Sequence, residues 1–150
     1  MAERSQILPS PGHLFVYGTL RPGQSAFEKF CREALTVDPA VASGSLYVLP
    51  AGYPVLVLTE SVSEPPTSHR PGSVRGDVML FSDMQTLLEL LDAYEEVGGA
   101  RSEYVRTIID VRLLESGKML RAWAYACPPE EAVALAGKAR LLSSGDWIDR

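Results

Sequence analysis

A run of four apolar residues, Leu14-Phe15-Val16-Tyr17, is cut short by Gly18-Thr19-Leu20-Arg21-Pro22-Gly23. β-Branched and aromatic side chains favour a short, fully buried strand, and the glycines and proline that follow cannot extend it. The chain must therefore turn at Gly18, directly beside a core strand. Gly18 has no Cβ, so a ligand can approach the main chain closely there, and successive N–H groups in such a turn converge on an anion. No Lys-Ser or Lys-Thr pair follows Gly23, which excludes a nucleotide P-loop.

With 150 residues, 46% of them hydrophobic, the chain can bury one sizeable core. The expected organisation is a flexible N-terminal arm at 1–12, polar and carrying Pro9 and Pro11, followed by a single domain at 13–150. A formal net charge of -5 and the absence of any Lys/Arg cluster argue against a nucleic-acid partner. No apolar run approaches membrane-spanning length, so no membrane partner is expected. Cys31 and Cys127 form no CxxC or metal-ligand spacing, and no secretory segment is evident, which predicts a reducing, cytoplasmic setting.

Along the chain, Ser25-Ala26-Phe27-Glu28 has the reciprocal capping pattern, and Phe27, Phe30, Cys31 and Leu35 follow at helical spacing. Cys31 falls on the buried face as core filler. Strands are expected at Ala40–Leu49, Val55–Leu58, Ser73–Phe81, Tyr104–Leu114 and Met119–Cys127, with Gly44 as a bulge and Glu115–Lys118 as a hairpin turn. Thr59 to Gly72, which holds His69, reads as a surface loop, and Glu130 to Ala136 as a short helix. Strands outnumber helices and most are joined locally. The fold class is therefore α+β: a small mixed, mostly antiparallel β-barrel with two or three flanking helices.

Ser82-Asp83-Met84-Gln85 is a second capping signature and opens the clearest helix. Met84, Leu87, Leu88 and Leu91 form one stripe when each residue advances about 100°. Glu95, four residues after Leu91, falls inside that stripe, whereas Glu96 aligns with Glu89 on the polar side. Asp92 sits at the stripe's edge, within reach of Glu95. A carboxylate pointed inward at a helix C-terminus is disfavoured by desolvation and by the helix dipole, so its pKa should rise into the range of a useful proton carrier. The alternatives are that the helix ends early and Glu95 meets solvent, or that it pairs with Arg101 or Arg106. Val97-Gly98-Gly99-Ala100 reads as a glycine C-cap.

Phe15-Val16-Tyr17-Gly18-Thr19-Leu20-Arg21-Pro22-Gly23, Gly52-Tyr53-Pro54, Gly76-Asp77-Val78, Leu91-Asp92-Ala93-Tyr94-Glu95, Tyr104-Val105-Arg106 and Gly145-Asp146-Trp147 occur in this order. The series resembles the γ-glutamylcyclotransferase-like superfamily, in its AIG2-like or γ-glutamylamine cyclotransferase branch. The resemblance implies a small barrel with a cavity, and release of 5-oxoproline from a small γ-glutamyl amine or amino acid. By that analogy Glu95 is the catalytic residue. The substrate-binding residues would be Tyr17, Gly18, Thr19, Leu20, Arg21, Tyr53 and Tyr104, with main-chain N–H groups of Gly18 to Leu20 holding the substrate's carboxylate or carbonyl oxygen. Two departures stand out: Glu96 replaces the usual glycine, and Val97 to Glu103 is longer than usual. The implied chemistry is intramolecular and calls for no metal or cofactor. A non-catalytic binding barrel, or acyl transfer at the same site, are the alternatives. No Gly-x-Ser-x-Gly is present, and His13 and His69 are the only histidines, so no competing nucleophile with a base emerges.

Overall fold

The computed structural model describes residues 12–58, 72–95, 104–127 and 131–148. The expected arm at 1–12 apart from Gly12, the expected loop at 59–72 apart from Gly72, and the glycine-rich segment after Glu95 lie outside them. In chain order the elements are β1 (His13–Val16), α1 (Phe27–Phe30), β2 (Thr36–Val48), β3 (Pro54–Leu58), β4 (Ser73–Leu80), α2 (Met84–Tyr94), β5 (Val105–Leu113), β6 (Met119–Ala126), α3 (Ala132–Ala136) and β7 (Arg140–Leu141).

Five strands close a barrel in the order β2-β4-β1-β6-β5 and back to β2. Every pair is antiparallel except β1 with β6, which run parallel with Leu14 opposite Trp123. The expected mixed, mostly antiparallel barrel with flanking helices is the one observed. β3 and β7 are extra strands, both paired with the far end of β2. The long β2 serves two neighbourhoods because it changes partner at Gly44, whose φ is +151°. A Cβ there would lie 2.5 Å from the Val57 carbonyl oxygen, so only glycine lets the strands meet at the corner.

Alternation along β6 separates two cores. Ala122, Ala124 and Ala126 point into the barrel with Phe15, Tyr17, Leu46, Val78 and Trp147. A five-stranded barrel is narrow, and alanine is what its wall accommodates. Trp123 and Tyr125 point outward and join Leu14, Val16, Met79 and the helices. There α2 buries Met84, Leu87, Leu88 and Leu91, the stripe read from the sequence. Cys31 is fully buried in the same cluster, and burial pushes its thiol up to about 12, as befits core filler.

Local start signals were less faithful. α2 is capped by Asp83, not Ser82: the Asp83 carboxylate accepts from the Thr86 N–H at 3.2 Å. α1 follows Ala26 and has no side-chain cap, so Ser25 does not play the expected part. β2 starts at Thr36, four residues before the predicted strand, because its edge pairs with β4 from Leu80 onward.

Gly76 lies where β4 passes β1. A Cβ there would sit 2.3 Å from the Val16 carbonyl oxygen and 2.7 Å from the Phe15 ring, neither of which can yield without shifting the barrel wall. Gly76→Ala is expected to destabilise the protein by about 2–3 kcal/mol. Urea unfolding should show a lower midpoint at unchanged slope. An unchanged midpoint would contradict this register.

Candidate active site

A cavity of about 710 Å³ opens at the end of β1. Tyr17 to Leu20 form one wall, and Tyr94 and Glu95 at the end of α2 contribute to another. Tyr104 and Tyr125 line it as well, and Leu14 to Val16, Leu49 to Ala51, Tyr53, Pro54 and Lys138 complete the lining.

The turn after β1 is closed by the Arg21 N–H donating to the Gly18 carbonyl at 3.0 Å, and the Ala26 N–H anchors Thr19 O at 2.9 Å. A β-turn of this kind uses its first carbonyl and last N–H, so it does not consume the N–H groups of Thr19 and Leu20. Gly18 has a packing reason to lack a side chain: a Cβ would lie 2.4 Å from Cγ of Pro54. The proline ring therefore rests on the glycine and fixes the turn against β3.

Glu95 is the C-cap residue of α2, its N–H bonded to the Leu91 carbonyl at 2.8 Å. The helix thus extends far enough to bring Glu95 into line with the apolar stripe, and Glu95 is among the residues that line the cavity. Burial pushes its pKa from 4.5 to about 7, because the charged form loses hydration there. The Tyr17 phenol is held well above its ordinary value, first by burial and then by the nearby Tyr104 and Glu95 charges. Tyr125 is raised by burial and by its bond to Asp92, with Glu95 contributing. Both phenols stay protonated at neutral pH and can only donate or accept hydrogen bonds.

The tyrosines are mostly structural in their hydroxyl contacts. Tyr17 Oη donates to the Tyr125 carbonyl (2.6 Å) and accepts from the Leu56 N–H (3.1 Å). Tyr104 Oη donates to the Pro54 carbonyl (2.6 Å), tying β5's start to the same proline. Tyr53 stands at the rim, about half exposed. Asp92, expected beside Glu95, is engaged elsewhere: Oδ1 accepts from Tyr125 Oη (2.7 Å) and Oδ2 pairs with Arg106 Nη1 (3.1 Å). The Arg106 guanidinium also lies over the Trp123 ring at 5.1 Å. Arg106 therefore serves Asp92, which anchors the last turn of α2 to β6 and β5.

Arg21 is corrected as a binding residue. It does not line the cavity. Its Nε pairs with Asp77 Oδ2 at 2.7 Å and its Nη1 with Asp146 Oδ1 at 2.9 Å, with the Arg21 and Asp77 side chains 8% and 10% exposed. Asp146 Oδ1 also accepts from the Ile148 N–H at 3.1 Å. A guanidinium divided between two carboxylates is the partner set burial demands, and it clamps the cavity turn to β4 and to the C-terminal segment. The sequence reading missed Tyr94, Tyr125 and Lys138. Alternation in β6 carried a signal for Tyr125; nothing local marks Lys138.

The fold and site define a class of closed five-stranded mixed barrels with a cavity at one end, lined among the described residues by both Glu95 and the Gly18 to Leu20 turn. The family model described as gamma-glutamyl cyclotransferase, AIG2-like, matches residues 14–149, and the chain belongs to that family. Among solved structures it is similar to YkqA from Bacillus subtilis, with TM-score 0.63 and 22% identity over 92% of this chain and 40% of that one. It is also similar to an AIG2-like protein from Mus musculus, with TM-score 0.56, 22% identity, and 79% and 78% of the two chains covered. A third is a yeast γ-glutamyl cyclotransferase specific to glutathione, with TM-score 0.52, 17% identity, and coverages of 80% and 70%. At these identities the likeness is one of fold, and this chain spans less than half the length of YkqA. No curated protein matches the chain.

Proposed function

We propose that the protein is a γ-glutamyl cyclotransferase that releases 5-oxoproline from a small γ-glutamyl amine or amino acid, with Glu95 as general acid–base. One observation carries the reading: a desolvated carboxyl with a pKa of about 7 lines the same cavity as the Gly18 to Leu20 turn. In the reaction the substrate's α-amine nitrogen bonds to its own γ-carbonyl carbon, and the bond from that carbon to the leaving nitrogen breaks. Over the cycle the α-ammonium gives up two protons and the leaving nitrogen gains two. A carboxyl titrating near neutrality can carry them one at a time. In this reading the N–H groups of Thr19 and Leu20 hold the substrate's carboxylate or its developing oxyanion. Because the attack is intramolecular, folding the γ-glutamyl chain into a ring-closing conformation supplies much of the acceleration.

The test is a panel of γ-glutamyl amines and amino acids, read as 5-oxoproline and free amine in equal amounts. Free glutamate or a glutamyl adduct would instead indicate hydrolysis or acyl transfer. Ligand-induced thermal stabilisation with no product from any member would leave a binding barrel.

A pH profile follows from the same carboxyl. The base form of Glu95 is needed to accept the first proton, so kcat/KM should fall as pH drops through about 7. Stability moves oppositely. Between pH 4.5 and about 7 the folded protein holds a proton that the unfolded chain releases, so this group's stabilising contribution is intact below 4.5 and is lost as pH rises toward 7. Steady-state rates and urea midpoints between pH 5 and 8 check both limbs; parallel slopes would contradict the assignment.

A further inference from the structure

Among the described residues, the arginines that are buried or half-buried are Arg21, Arg75 and Arg112. Arg21 is paired with Asp77 and Asp146, whereas neither Arg75 nor Arg112 has a carboxylate partner among the described residues. Both stand on the outer wall of the barrel. Ala40, Ala42, Val74 and Val111 belong to the barrel core, so alternation turns Val41, Arg75 and Arg112 outward. Register sets Val41 of β2 opposite Arg75 of β4 on one side and opposite Arg112 of β5 on the other. Two inter-strand spacings put the arginine Cα atoms about 10 Å apart, a span that two long side chains can close. Val41 is fully buried although it faces outward, as expected of an apolar residue flanked by two arginine stems.

Each arginine is fixed at its base and unmatched at its head. The Arg75 main chain is tied on both edges, pairing with Val41 and donating its N–H to the Gly145 carbonyl at 2.7 Å, yet its side-chain Nε is buried with no hydrogen-bond partner among the described residues. The Arg112 head lies against Gly117 in the β5–β6 hairpin, where an added Cβ would stand 3.5 Å from Nη2. The acids on the same face are engaged: Asp77, the next outward residue of β4, by Arg21 at 2.7 Å, and Asp110, its counterpart on β5, with Arg121 at 4.0 Å. Ser43 and Ser73, a register pair one step along this face, add two half-buried hydroxyls.

A buried N–H without an acceptor is unfavourable, and an oxyanion is the acceptor that a guanidinium fits best. A tetrahedral dianion offers oxygens to both guanidinium forks and balances both charges; a carboxylate occupies one fork and leaves the other charge uncompensated. We propose that Arg75 and Arg112 form an anion site on the outer wall of the barrel that takes a phosphate dianion, free or as the head of a small phosphomonoester. Neither arginine lines the end cavity, so the site is independent of the cyclotransferase reading.

Calorimetric titration of the native protein with inorganic phosphate and with glycerol 3-phosphate, at constant ionic strength and with acetate as the comparison, tests this. Both phosphates should bind saturably, and acetate at least about tenfold more weakly, the scale of one hydrogen bond to a charged group. Equal affinities for the two mark a site for free phosphate, and tighter binding of the ester marks one for an organic phosphate. R75M and R112M should each lower phosphate affinity by about tenfold or more, and the double variant should abolish binding. Methionine keeps an apolar stem beside Val41 and removes the unmatched Nε, so a urea midpoint like the parent's is expected and excludes misfolding as the cause. Nitrogen NMR of the native protein needs no variant: phosphate should shift the Arg75 and Arg112 Nε–H resonances along one common binding curve. The proposal is overturned by acetate binding as tightly as phosphate, by phosphate binding unaltered in the double variant, or by Nε–H resonances that move no more than in chloride of equal ionic strength.

Discussion

Glu95→Gln should reduce 5-oxoproline release by at least about a hundredfold in kcat, the low end of what a positioned acid–base contributes. Gln keeps the shape of the side chain and its place at the end of α2, but it cannot carry a proton. The same substitution should not weaken the fold. Holding a carboxyl near 7 against an ordinary 4.5 costs on the order of 3 kcal/mol once it is ionised, and Gln removes that penalty. At pH 8 the variant is therefore expected to unfold at a midpoint equal to or above the parent's. Loss of activity with no loss of stability separates a proton carrier from a structural residue; retained turnover would eliminate Glu95 as the acid–base.

The second large effect is on stability. Arg21→Met removes the shared cation of Asp77 and Asp146 while keeping most of the apolar stem. Two largely buried carboxylates then lose their shared cation, and breaking a buried ion cluster in this way costs about 3–5 kcal/mol. Chemical unfolding should register that loss. Adding Asp77→Asn to Arg21→Met should recover part of it, because the residual penalty is the unpaired charge. The clamp ends at the turn carrying the Thr19 and Leu20 N–H groups, so Arg21→Met should also raise KM. An Arg21→Met protein as stable as the parent would mean that the ion cluster does not secure the turn.

These two residues illustrate how far the sequence could be read. Glu95 was legible because its position is set by a local period: Met84, Leu87, Leu88 and Leu91 define a stripe, and the next place on it is residue 95. The barrel was legible because strands outnumber helices and most are joined locally, a pattern that does not depend on which residues face which partner. Arg21 was misread because its partners lie 56 and 125 residues away, and no local pattern distinguishes a cation aimed at a ligand from one aimed at Asp77 and Asp146. Those aspartates sit in the Gly76-Asp77 and Gly145-Asp146-Trp147 motifs, so motifs noticed for their resemblance prove to be the two anions of a structural clamp. Gly145 belongs to it too: its carbonyl accepts from the Arg75 N–H at 2.7 Å, and a Cβ there would lie 2.2 Å from Ser73 O.

Lys138 was invisible for the same physical reason. Its place at the rim depends on α3 docking against β3 and on β7 pairing with β2, neither of which is encoded near residue 138. The helix caps failed differently. Ser25 and Ser82 both satisfied a short pattern, but Asp83 outcompeted Ser82 by one residue, and α1 is only four residues long, too short for its cap to decide its position. Local signals place the start of α2 to within a residue, but β2 begins four residues before its expected start; tertiary partners decide both that and which side chains reach the cavity.

The central claim is that Glu95 is a sheltered carboxyl poised to exchange a proton near neutral pH. Its titration can be followed directly by carbon NMR of the side-chain carboxyl in glutamate-labelled protein, assigned by comparison with Glu95→Gln. A midpoint close to 7 is the predicted result. A midpoint near 4.5, the ordinary value for a glutamate in water, would contradict the account.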